Sequence, residues 1–121
     1  MDRAALHALV SAAPLVADGG MGTSLIATGV PVGSCFELLN VDDPERVERI
    51  HRSFVEAGSD LLLLPVQDVF GWSDRINDPA TVGEMNWTFR LPWPSDKLDE
   101  IHQARERQAA LRGWAARYGR L

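Results

Sequence analysis

Three stretches of this chain carry polar side chains at spacings that could serve chemistry. The first is Asp18, set ahead of the turn Gly19-Gly20-Met21-Gly22-Thr23. Its glycines let a backbone turn tightly or approach a ligand closely. A carboxylate at the carboxyl end of a strand can pair with an ammonium group, or it can cap the helix that follows. The turn is not a phosphate loop, because it lacks the Lys-Ser/Thr pair and the dinucleotide spacing. The second stretch is Gln67-Asp68, placed directly after the apolar run Leu61–Leu64 and Pro65-Val66. The third combines Arg75-x-Asn77 with Asn86-Trp87-Thr88-Phe89-Arg90. Asn and Gln side chains offer paired donors and acceptors to hydroxyl groups, and Trp faces stack on flat rings. Cys35 is the only cysteine. It excludes an intrachain disulfide and a zinc site built from several thiolates.

These residues need elements to hold them. Asp2 can cap a first helix running to about Ser11, with Leu6, Leu9 and Val10 on one face. Pro14 ends it, and Leu15–Ala17 is a short strand candidate. Met21 to Thr28 reads as a short helix ending at Gly29. Asp43-Pro44-Glu45 is a clean helix start, with the cap, the first-position proline and an acidic residue at the positive dipole end. In that helix Val47, Ile50, His51 and Phe54 share a face, His51 reads as a packing residue, and Gly58 supplies the stop. Leu61–Leu64 lacks polar alternation, which suits a parallel strand buried on both faces. Gln67 and Asp68 would then sit at its carboxyl end, where α/β folds place ligand-facing groups. Gly71 to Asn86 reads as irregular. A last helix is expected from Ser95 or Asp96 to Tyr118, with Leu98, Ile101, Ala104, Gln108, Leu111 and Ala115 in a stripe and Trp114 as a core anchor.

At 121 residues the chain is of ordinary single-domain size, but short of the roughly 200 residues that a closed eight-fold β/α barrel requires. Its formal net charge of -5 argues against a nucleic-acid partner, which would need clustered cations. Arg105, Arg107, Arg112, Arg117 and Arg120 are interspersed with Glu100 and Glu106 and read as a solvated helix face. The N-terminal residues lack the apolar core of a signal peptide, and no apolar run approaches the roughly 20 residues of a membrane span. A cytoplasmic protein without a membrane partner is the expectation.

The segment from about Leu15 to Asp60, with its Asp-Gly-Gly-x-Gly-Thr turn and Glu37-Leu38-Leu39-Asn40, resembles the opening of the homocysteine S-methyltransferase domain. That resemblance implies a β/α barrel and gives Asp18 the role of holding the homocysteine amine. After Asp60 the pattern stops, and Cys35 matches none of that family's zinc-binding cysteines. From about Leu61 to Tyr118 the chain resembles the carboxyl-terminal part of 4-α-glucanotransferase. The residues that carry this are Pro65-x-Gln67-Asp68, Arg75-x-Asn77, Pro79-Ala80-Thr81 and Asn86-Trp87-Thr88-Phe89-Arg90. Ala80 stands where Gly is more usual in the family.

The second resemblance implies transfer of α-1,4-glucan segments between maltooligosaccharides, with Asn77 in direct contact with the glucan. Asp68, Arg75, Asn86, Trp87 and Arg90 would keep the long loop in shape. Together the two resemblances imply an α/β chain made of incomplete (β/α)8 barrel fragments, divided at 1–60 and 61–121, fusion-like or truncated. Neither brings a catalytic carboxylate pair, a metal site or a cofactor, and Asp68 and Asp74 do not lie at the matching positions. The chain by itself is therefore expected to be catalytically silent. An unclosed sheet would also leave an open strand edge, through which self-association is expected.

Overall fold

The computed structural model describes residues 2–78 and 81–120. Its elements in order are α1 (Arg3–Ala12), α2 (Met21–Ala27), a 3-10 turn (Phe36–Leu38), α3 (Leu39–Asp42), α4 (Pro44–Glu56), α5 (Val66–Phe70), a 3-10 segment (Ser95–Glu100) and α6 (His102–Arg117). Among the described residues there is no strand and no sheet. The chain is small and helical, which overturns the expected α/β barrel fragment. It divides into two compact units. One takes in the chain up to Ser34 together with Asp43–Leu64, and the other takes in Cys35–Asp42 and the chain from Pro65 onward.

In the first unit α2 packs on α4. The α4 start is capped as its sequence dictates. Asp43 Oδ1 accepts from the Arg46 N–H at 3.3 Å, and Pro44 occupies the first turn, where its missing N–H costs nothing. Val47, Ile50 and His51 are buried on the inner face with Leu25 of α2 and with Val30 beyond it. Gly58, with φ 93°, stops the helix in the left-handed region, where a side chain would be strained. Phe54 lies so close to Gly19 that a Cβ there would stand 2.9 Å from the ring, which explains the need for glycine at that position. No residue of α1 is buried.

The two expected strands meet in a single isolated parallel bridge, Ala17 to Leu61. Two carboxylates bracket it: Asp60 Oδ2 accepts the Val16 N–H at 2.8 Å, and Asp18 Oδ2 accepts the Leu63 N–H at 3.2 Å. The pairing does not spread, for reasons present in the residues. Pro14 and Pro65 lack an N–H on either side of it, glycines follow Asp18, and two short segments without a third strand do not make a stable sheet. Leu63 is left 71% exposed instead of doubly covered. Without strands, the open strand edge expected to drive self-association is also absent among the described residues.

In the second unit the segment after Pro65 turns into α5, so Gln67 and Asp68 are helical and do not terminate a strand. Gly71 closes that helix at φ 74°, its N–H donating to the Gln67 carbonyl at 2.8 Å. The expected last helix begins as the 3-10 segment and becomes α-helical only at His102. α6 packs on that segment and on α5. Ala104 is its buried residue, with Leu111 and Ala115 half-buried. Trp114 is 46% exposed, so it does not anchor the core as its position in the sequence suggested.

Candidate functional site

The irregular stretch between α5 and the 3-10 segment carries most of the residues singled out above, and short-range bonds determine its shape. Its base is Asn40, which is buried in α3. The Asn40 Nδ2 donates to Asp68 Oδ1 and to the Trp72 carbonyl, both at 3.0 Å. Asp68 is thereby committed to holding α3 and α5 together. Beside this lies Glu37, whose Oε2 accepts from the Cys35 thiol at 3.6 Å and stands 3.9 Å from Arg75 Nε. Arg75 also pairs with Asp78 at 3.3 Å and donates from Nε to the Asn77 carbonyl at 3.2 Å.

Above the base is an aromatic cluster. Phe70 and Trp72 stack with ring centroids 4.5 Å apart and planes 16° apart. Trp93 meets both, at 5.7 Å from Phe70 and 5.8 Å from Trp72, and Phe89 lies 6.1 Å from Trp72. These tilted and stacked pairs suit the opposed charge of ring face and ring edge. Trp72 is thus engaged by protein aromatics.

The distal part of the loop is buckled by Asn86. Its Oδ1 accepts the Asp78 N–H at 2.7 Å, and its Nδ2 donates to the Thr81 carbonyl at 3.1 Å and hydroxyl at 3.2 Å. Next to it, Trp87 donates its N–H to the Ile76 carbonyl at 2.8 Å, and its own carbonyl accepts from Arg90 Nη1 at 3.2 Å. The pairing with Ile76 brings Trp87 beside Asn77 in the loop. Asn77 is half-buried, and among the described residues its side-chain amide makes no hydrogen bond. Pro79 and Ala80 of the motif lie outside the described residues. Asp18 belongs to the first unit, where it holds the Leu63 backbone.

A family model described as 4-alpha-glucanotransferase matches residues 27–96, more than half of the chain. The chain belongs to the 4-alpha-glucanotransferase family. No curated protein and no solved structure matches it. Nothing in the comparisons supports the homocysteine S-methyltransferase resemblance. The 4-alpha-glucanotransferase match begins at Thr28's neighbour Ala27, and so takes in a large part of the segment that had suggested the other family.

Within this glucanotransferase segment, the sequence pointed to Asp68, Arg75, Asn86, Trp87 and Arg90 as loop-holding residues, and each makes the bonds described above. It missed Asn40, which ties three parts of the second unit together, and Glu37 as the partner of Arg75. The signal was available for Asn40. An amide among Leu38, Leu39 and Val41 is a polar group heading into apolar surroundings, where it must find partners. Among the described residues no three His, Cys, Asp or Glu side chains are grouped to hold a metal ion. None of the helices among them is long and apolar enough to cross a membrane.

Gln67 stands apart. Its side chain is fully buried, and neither amide atom has a hydrogen-bond partner among the described residues. Leaving a polar group buried and unpaired costs roughly 1–3 kcal/mol. Replacing it by Met, similar in length and without that penalty, is expected to raise the unfolding free energy by about 1 kcal/mol. Thermal denaturation of Gln67→Met checks this, and a fall in stability would mean that the amide is bonded in solution.

Proposed function

We propose that the chain binds an α-1,4-glucan segment at the loop between α5 and the 3-10 segment, with Asn77 as its direct contact. The observation that carries this reading is the state of Asn77 inside a matched glucanotransferase segment. Its backbone carbonyl is fixed by Arg75, while its side-chain amide has no bond to the described residues. Such an amide can donate to one sugar hydroxyl and accept from another. Of the other polar residues of the motif series, Arg75, Asn86 and Arg90 are bonded within the loop, Asp68 is bonded to Asn40, and Gln67 is fully buried.

We read the chain as a binding unit with negligible turnover of its own. Retaining glycosyl transfer uses a carboxylate nucleophile and a separate acid/base carboxyl about 5 Å apart. Asp68 is held by Asn40, and the family resemblance places neither Asp68 nor Asp74 at the positions of such a pair. A disproportionation assay with maltotriose should therefore be blank for this chain. A cytoplasmic location accords with glucan metabolism and is part of the same reading.

Titration with maltoheptaose, followed by the Asn77 side-chain amide resonances, tests the binding site. Saturable shifts are expected, and they should vanish in Asn77→Ala without a change in the far-UV spectrum, since that side chain holds nothing in place. Shifts absent at millimolar maltoheptaose would remove the reading.

A further inference from the structure

Among the described residues only one that is not glycine has a positive φ, and it is Trp87, at 64°. A bulky aromatic residue in the left-handed region is strained, and such strain persists only where the surroundings over-determine it. Here they do: the N–H of Trp87 is bound by Ile76, its carbonyl by Arg90, and the residue before it is Asn86, which buckles the loop. What this arrangement delivers is an indole 70% exposed to solvent. The contrast with its neighbours is sharp, because Phe70, Trp72, Phe89 and Trp93 pack against one another. The loop holds a strained backbone and leaves a large apolar ring outside the cluster that could have received it.

We infer that Trp87 is a stacking platform for a glucose ring of an α-1,4-glucan, with the strained backbone holding the indole outward next to Asn77. The inference rests on the glucan-binding reading of Asn77 and adds the surface that would take the sugar's apolar face. The hydrogen bond from Trp87 to Ile76, the residue before Asn77, brings the two together. A pyranose presents hydroxyls at its rim and C–H groups on its face, so an amide and an aromatic plane side by side match both.

The test uses the full chain and maltoheptaose. In the unmodified protein the Trp87 indole N–H should shift on titration, while the Trp93 indole, held in the cluster, should shift little. Trp87→Gly removes the ring and relieves the backbone, because glycine accepts positive φ without strain. It should fold at least as stably and bind maltoheptaose about tenfold more weakly. Trp87→Phe keeps a ring and should retain affinity within about threefold. Trp87→Asn, whose side chain tolerates the left-handed region, gives the same comparison if the glycine variant does not fold. If Trp87→Gly or Trp87→Asn binds as tightly as the unmodified chain while Asn77→Ala does not bind, the platform is wrong and the Asn77 site stands. If the unmodified chain fails to bind, both fall.

Discussion

Replacing Phe70 by alanine should lower the unfolding free energy by about 3–4 kcal/mol, the usual cost of truncating a packed phenylalanine. Phe70 is 8% exposed and lies at the C-terminal end of α5. Its ring is stacked on Trp72 at 4.5 Å and meets Trp93 at 5.7 Å, so truncation loses burial and two aromatic contacts together. For a chain of this size such a loss is a large share of total stability. Urea denaturation read by tryptophan fluorescence measures it directly, as two of the four tryptophans lie against the ring. A change below about 1 kcal/mol would mean that this cluster does not form the core of the second unit.

Asn40→Ala should cost about 2–3 kcal/mol, although it removes few apolar contacts. The buried amide donates to a carboxylate and to a backbone carbonyl, each at 3.0 Å. Bonds to charged acceptors are stronger than neutral ones, and deleting the donor leaves both oxygens short of a partner they had when folded. The loss should fall on the second unit and disorder the start of the loop, since Trp72 follows Gly71 directly. Hydrogen exchange would show that the protection of the Gly71 and Trp72 amides, which bond to the Gln67 carbonyl, falls in this variant. Unchanged protection there would contradict the role given to Asn40.

The parts of the fold legible in the sequence were those fixed by neighbours along the chain. Asp43-Pro44 and Gly58 bounded α4 correctly because capping is decided within one turn. The stretch after Gly71 was recognisable as irregular from its Gly, Pro, Asn and Asp content. Leu61–Leu64 was misleading because a short apolar run fits a buried strand or an extended segment equally well, and only partners elsewhere decide between them. Those partners amount to one bridge at Ala17, so no sheet forms among the described residues. Trp114 was placed in the core by helical spacing, yet α6 turns only a narrow stripe around Ala104 inward. The candidate site was legible as a motif series, whereas Asn40 and Glu37 came to it from an earlier segment that spacing could not connect. The left-handed backbone of Trp87 had no signal at all, since nothing in the residue type favours it.

Glucan binding by this chain is tested most directly by calorimetric titration of the full protein with maltoheptaose, beside cellohexaose as the β-1,4-linked control. A saturable heat with maltoheptaose, in roughly the millimolar range, and none with cellohexaose is the expected result. No saturable heat with maltoheptaose, or equal binding of both sugars, would contradict an α-1,4-glucan site at Asn77.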